Sequence, residues 1–379
     1  MNIYRYLLLL FVLMNGALKA QPLPEKADVL KVIDKANTYW QANNKAEQNA
    51  FWNHAAYHTG NMEVFAITGN EAYRQYSETW SAYNQWMGAK SADRSKWKYT
   101  YGETDEHVLF GDWQICFQTY IDLYQLKPES GKIARAREVM EYEMSTPEKG
   151  YWWWADGLYM VMPVMTKMYK VTGNQQYLDK LYEYFTYANS IMYDDKTKLY
   201  YRDAKYVYPK HTTANGKKDF WARGDGWVFA GLAKVLKDLP ATDAHRNEYL
   251  SKYKNMAKAI LKSQQQEGYW TRSMLDPFHA PGPETSGTAF FTYGLLWGIN
   301  NGHLNEKTYL PAALKGWNYL TKTALQQDGK VGYVQPIGEK AIPGQVVDAN
   351  STADFGVGAF LLANCEMYRF LTPENRTKL

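Results

Sequence analysis

Apolar positions recur at three- and four-residue steps through most of this chain, and strand-like alternation is scarce. Trp113, Cys116, Phe117, Tyr120 and Tyr124 mark one such face, and Phe290, Tyr293 and Trp297 another. That period is the mark of a helix with one buried side. The pattern predicts helices in pairs: 27–42 with 51–68, 71–87 with 112–126, 132–145 with 157–171, 175–192 with 223–237, 246–266 with 286–299, and 307–324 with 352–371. The second member of each pair is richer in apolar and small residues. First members such as 246–266 carry lysine and glutamine on one face, as an outer layer would. Thr68-Gly69-Asn70 and Thr172-Gly173-Asn174 each close one helix and open the next, a weak internal repeat. Pro163 falls inside the third inner segment, so that helix is expected to kink there or to start later. Short alternating runs at Lys198–Tyr208 and Val331–Pro336 predict hairpin-like loops.

Six helical hairpins with apolar inner members pack most simply as an all-α (α/α)6 barrel. The inner helices then run parallel, and the loops before them crowd one mouth. An open tetratricopeptide-like solenoid is the competing arrangement, but the repeat length here is irregular, at about 45 to 65 residues. No Pro/Gly/Ser-rich linker divides the chain, so residues 21–379 read as a single domain.

Residues 1–20 read as a secretory signal peptide: Arg5, an apolar run from Leu7 to Met14, then small residues up to Ala20-Gln21. The expected location is the periplasm. No later apolar run reaches membrane-spanning length, so no membrane insertion is expected. Cys116 and Cys365 each sit in an apolar helical pattern, which points to buried thiols and excludes a disulfide framework. The net charge is +4 with both signs interspersed, and no basic block supports nucleic-acid binding. Aromatic content is the outlier: 14 Trp and 32 Tyr exceed what a core of this size needs, so some rings should line a binding surface.

The chemistry concentrates at the starts of the inner helices. In Tyr151-Trp152-Trp153-Trp154-Ala155-Asp156 three tryptophans precede one carboxylate. Helix position favours the Asp156 anion, whereas desolvation by the rings favours the acid. Asp112, at the preceding inner helix, should face the same mouth and raise one of the two pKa values. Lifting an aspartate from about 3.9 to about 6 takes roughly 3 kcal/mol, within reach of burial plus a second carboxylate. A plain helix cap is the alternative role for Asp156. In Trp221-Ala222-Arg223-Gly224-Asp225-Gly226-Trp227, Arg223 could pair with a substrate carboxylate while Trp221 and Trp227 offer flat faces. Glu284 and Ser286 could cap a helix or meet sugar hydroxyls, and Asp354 is open in the same way. His54 and His58 have the spacing of a metal pair but no third ligand, so no metal is expected. No phosphate-binding or dinucleotide fingerprint implies a cofactor.

The ordered series Gly111-Asp112-Trp113, Trp154-Ala155-Asp156-Gly157-Leu158-Tyr159-Met160, Trp221–Trp227 and Glu284–Ala289 resembles glycoside hydrolase family 105, the unsaturated rhamnogalacturonyl and glucuronyl hydrolases related to family 88. The resemblance implies an (α/α)6 barrel that removes a 4,5-unsaturated uronic acid from the non-reducing end of lyase-made oligosaccharides by hydrating the C4=C5 bond. It implies Asp156 as the general acid/base, Asp112 as the second acid, and Trp221 and Arg223 around the uronate, beside the flat faces that Trp153 and Trp154 offer a sugar. Rhamnogalacturonyl members carry a histidine after a Leu-aromatic-Tyr run. Here Leu199-Tyr200-Tyr201 is followed by Arg202, and His211 comes nine residues later. Either could serve as the anion-binding group; this departure points away from rhamnogalacturonan-derived substrates, which stay as the alternative, and an added cation would suit a sulfated glucuronyl substrate such as an ulvan fragment. An ordinary inverting glycosidase using Asp156 and Asp112 and a non-catalytic oligosaccharide-binding protein are the alternatives. A monomer or weak homo-oligomer is expected.

Overall fold

The structure, a computed structural model, describes residues 22–372, so the leader expected over residues 1–20 lies outside them. The described residues form twelve α-helices: α1 (Lys26–Asn43), α2 (Trp52–Thr68), α3 (Glu71–Tyr83), α4 (Cys116–Leu126), α5 (Gly131–Ser145), α6 (Ala155–Thr172), α7 (Gln176–Met192), α8 (Ala222–Asp238), α9 (Arg246–Ser263), α10 (Thr285–Asn300), α11 (Glu306–Tyr319) and α12 (Asp354–Phe370). The even-numbered helices touch in the order α2, α4, α6, α8, α10, α12 and back to α2, and each packs against an odd-numbered helix outside it. This is the (α/α)6 barrel. Burial follows the predicted layering. Every residue of α10 is buried, whereas α9 buries only the stripe Tyr249, Tyr253, Met256, Ala257, Ile260 and Ser263.

The two repeated turns have the same chemistry. Gly69 (φ 64°) and Gly173 (φ 70°) cap α2 and α6 in the left-handed region and donate to Phe65 O and Tyr169 O. Asn70 and Asn174 then accept from Ala72 N and Gln176 N. Pro163 neither stops nor delays α6, which runs through it. A proline there cannot donate to the carbonyl four residues back, and the Gln118 amide takes that orphan, donating to Tyr159 O at 2.8 Å. The alternating run near residue 198 becomes a two-residue hairpin, β1 (Tyr193–Asp194) with β2 (Leu199–Tyr200). The run at Val331 makes only a bridge to Leu325. Both cysteines are buried free thiols.

The ring closes where α2 meets α12 through glycines. A Cβ on Gly60 would lie 2.3 Å from Gly358 O, and one on Gly358 would lie 2.4 Å from Ala56 O. Gly358→Ala is therefore expected to spread this seam and cost about 1–3 kcal/mol, seen as a lower urea midpoint. An unchanged midpoint would show that the seam is looser than described.

The end of the barrel away from the inner helix starts carries a network of ion pairs. Glu63 of α2 takes both Lys237 and Arg369, while Lys167 of α6 pairs with Asp122 and Asp238. Above them Lys234 lies 5.3 Å from the centre of the Tyr159 ring and donates to Gln118 Oε1. Burial pushes its pKa down to about 8. Cations near helix C-termini are favoured by the helix dipole.

Candidate active site

The opposite end, where the inner helices start, holds a cavity of ≈ 570 Å³, large enough for one or two sugar units. Its walls come from five stretches of chain. The approach to α2 supplies Asn49, Phe51, Trp52 and Asn53; the loop before α4 supplies Tyr101, Glu103 and Asp112; the start of α6 supplies Trp153, Trp154, Asp156 and Met160. Arg202 and Lys205 follow β2, and Ile337, Gly338 and Glu339 come from the loop before α12.

Asp156 occupies the first turn of α6 and is almost wholly buried. Asp112 precedes α4 on a 3₁₀ turn, Gly111–Trp113, because α4 proper begins only at Cys116. Arg202 reaches Asp156 with Nε 3.5 Å from Oδ2, and its guanidinium lies 5.6 Å from the centre of the Trp153 ring. Asp156 Oδ2, Asp112 Oδ1 and Arg202 Nε find no hydrogen-bond partner among the described residues. Leaving buried polar atoms unpaired is costly, and at a cavity it marks groups kept for a ligand. Burial raises the pKa of Asp156, with Arg202 and then Arg223 pulling it back. Burial pushes Asp112 well above the usual carboxylate range, and the neighbouring Asp156 adds to that rise while Arg202 opposes it. The two carboxyls thus share a site that favours the protonated form of each more than water would.

Backbone bonds bring Arg202 to Asp156 across a long sequence gap. Ala155 N donates to Arg202 O at 2.8 Å, and Trp154 bridges Asp203. Asp203 Oδ2 holds Arg202 Nη1 at 2.7 Å. From the other side, Asp225 Oδ1 accepts from Tyr200 N at 2.8 Å, clamping β2 to α8. That is the role of Asp225, which is fully buried and does not line the cavity.

Several sequence-based expectations are corrected here. Arg223 does not line the cavity: its Nη1 donates to Gln335 O at 2.8 Å and its Nη2 to Pro336 O at 2.9 Å. The flanking rings serve it, since the guanidinium lies 4.4 Å from the centre of Trp221 and 4.7 Å from that of Phe355. Trp221 donates to Gln335 Oε1, and Glu284 accepts from Ser286, Gly287 and Gln335, so Glu284 and Ser286 form a cap. Trp227 is buried beneath the cavity among Trp52, Tyr159 and Phe290. Trp152 turns away onto Tyr184. His211 pairs with Asp219 at 2.8 Å and lies edge-on to Tyr206, outside the cavity wall. His58 is buried, stacked on Trp80 and bonded to Ser77, while His54 pairs with Asp354. Among the described residues no cluster could hold a metal.

Arg223, Trp221 and Glu284 together fix Gln335, the post from which Ile337, Gly338 and Glu339 are hung. Arg223→Met should therefore orphan two carbonyls and cost about 3 kcal/mol. A denaturation midpoint equal to the parent's would contradict this. The lining residues missed in the sequence are of two kinds. Trp52 and Asn53 begin an inner helix and were findable by the same logic as Asp156. Lys205, Ile337 and Glu339 lie in loops with no periodic signal.

Residues 28–371 match glycosyl hydrolase family 88. The chain is 32% identical over 334 residues, 84% of each chain, to a Formosa agariphila protein named unsaturated 3S-rhamnoglycuronyl hydrolase. A solved structure named glycosyl hydrolase family 88 from Bacteroides vulgatus is 62% identical with a TM-score of 0.90, covering 92% of this chain and 100% of its own. Another, named a polysaccharide lyase, is 65% identical with a TM-score of 0.89 over 92% of this chain and 98% of its own.

Proposed function

The chain belongs to glycosyl hydrolase family 88, and from that premise we propose that it removes a 4,5-unsaturated uronic acid from the non-reducing end of oligosaccharides. The observation that carries this reading is the pair of buried carboxyls, Asp156 and Asp112, at one cavity wall, with Arg202 Nε 3.5 Å from Asp156 Oδ2. A conjugated uronic acid needs a proton at C4, water at C5 and a cation for its carboxylate. Protonated Asp156 gives its proton to C4, and positive charge develops at C5 and the ring oxygen. The resulting carboxylate takes a proton from water as the hydroxyl adds to C5, which restores the acid. The hemiketal then opens and the remaining sugar leaves from C1. Asp112, with its raised pKa, acts as the second acid of the site, and Arg202 holds the uronate carboxylate. Incubation with lyase-made oligosaccharides should abolish the ultraviolet absorbance of the conjugated acid. Persistence of that absorbance across pectic, ulvan and glycosaminoglycan products would sink the reading. An ordinary inverting glycosidase would instead place heavy oxygen from water at C1 and not at C5.

The substrate proposed is an ulvan-type, rhamnose-containing glucuronyl fragment, supported by the relative named for rhamnoglycuronyl substrates and by Arg202 and Lys205 at the mouth. Equal turnover of unsulfated pectic fragments would remove that preference. With residues 1–20 as a leader, the proposed place of action is the periplasm; a mature N-terminus other than Gln21 in mass spectra would count against it. A second reading is favoured by the 65% identical structure named a polysaccharide lyase. The same groups could take the C5 proton of an intact uronate and expel the substituent at O4, creating the double bond. A lyase would make absorbance rise on saturated polysaccharide, and a hydrolase would make it fall on lyase products.

A further inference from the structure

Arg202 and Lys205 are the two cationic side chains among the described residues lining the cavity, and both are already engaged. Glu339 Oε2 lies 3.4 Å from Arg202 Nη1 and 3.2 Å from Lys205 Nζ, and its Oε1 accepts from Tyr206 Oη at 2.7 Å. These contacts span more than 130 positions of sequence and tie the loop before α12 to the segment after β2. Burial alone would raise the Glu339 pKa, but Tyr206, Lys205 and Arg202 outweigh it and hold the carboxyl below the ordinary glutamate range.

The loop is firmly held at its base and loosely at its tip. Gln335 is fixed by Arg223, Trp221 and Glu284, and its amide donates to Gln345 Oε1 at 2.9 Å. Arg272 donates to Gln345 O. Between those posts Ile337 is 64% exposed, and a Cβ on Gly338 would meet nothing closer than Pro336 O at 3.8 Å. Turning the Glu339 side chain aside breaks its ion pairs and its bond with Tyr206, while Gln335, which also donates to Lys340 O at 2.9 Å, keeps the backbone that follows in place.

We propose that Glu339 is a specificity-determining residue, an internal carboxylate that occupies the Arg202–Lys205 pair until the carboxylate of a uronic acid displaces it. The proposal rests on the uronate reading of the site, which the hydrolase and lyase versions share. Exchange of one carboxylate for another keeps both cations neutralised throughout. A neutral sugar has nothing to offer in return, so it leaves Glu339 in place. The arrangement lowers affinity as well: a site closed nine-tenths of the time binds about tenfold more weakly than an open one.

Glu339→Gln tests this, since it keeps the length of the side chain and its bond with Tyr206 while removing the competing charge. Calorimetric titration with glucuronate is expected to show about tenfold tighter binding to the variant than to the parent, the free-energy equivalent of about 1.4 kcal/mol. On an active substrate KM should fall by a similar factor while kcat stays within about twofold, a split that a purely structural role would not give. Glu339→Ala should change affinity in the same direction. Equal or weaker glucuronate binding in both variants overturns the proposal, even if the parent enzyme turns over its substrate normally. Absence of any turnover by the parent would instead count against the proposed function, because the titration does not depend on it.

Discussion

Asp156→Asn is expected to lower turnover by about a thousandfold while leaving the barrel folded, because one positioned proton donor contributes about 10²–10⁴ in rate. A thousandfold corresponds to about 4 kcal/mol of transition-state stabilisation. Asparagine fills the same volume and faces the same rings, so shape is not what is lost. The substitution also has a predictable sign on stability. Burial raises the folded-state pKa of Asp156. The associated stability is therefore complete at low pH and is lost as pH rises through the folded pKa. Asparagine carries no such penalty, so the Tm of the variant should gain on the parent's as pH increases. A rate loss under tenfold would mean that the proton comes from elsewhere.

Arg202→Gln should be nearly as damaging, and its signature is different. A charge-assisted hydrogen bond to a carboxylate is worth about 1.5–3 kcal/mol, so KM for an unsaturated uronide should rise roughly 10- to 100-fold. Arg202 is also the leading influence that lowers the Asp156 pKa against burial. Without it that pKa moves up, and the alkaline limb of the pH–rate profile, where the acid loses its proton, should shift to higher pH. A profile that stays put or moves toward acid would show that Arg202 does not sense Asp156. Arg202→Lys, which keeps the charge but not the fork, should recover part of the KM loss.

Local sequence carried much of this architecture, because each inner helix advertises itself twice. It is apolar and small on every side, as α10 is, and it begins with residues of special chemistry, as at Asp156. The barrel, its layering and the cavity end could be read from those two signals. Arg223 shows where local reading stops. Tryptophans around an arginine are compatible with a ligand or with a buried anchor, and only the carbonyls of Gln335 and Pro336, more than 110 positions away, decide between them. Glu339 was invisible for the same reason: an isolated acid in an aperiodic loop gains meaning only from Arg202 and Lys205 across the mouth. The aromatic surplus was also only partly a binding signal. Trp153 and Trp154 line the cavity, while Trp80, Trp152, Trp227 and Trp270 are fully buried.

The buried layer of Trp227, Tyr159 and Phe290 beneath the cavity, with the ion pairs of Glu63 and Lys167 beyond it, makes the barrel a blind well. Any molecule entering it must come in by its tip, as a finger enters a thimble, and can advance only until it meets the floor. A long polysaccharide cannot be threaded through, so the residue that reaches the floor is the one at its end. The fragment released at the bottom must back out by the doorway its successor will use, which ties the pace of each cycle to how fast that doorway clears.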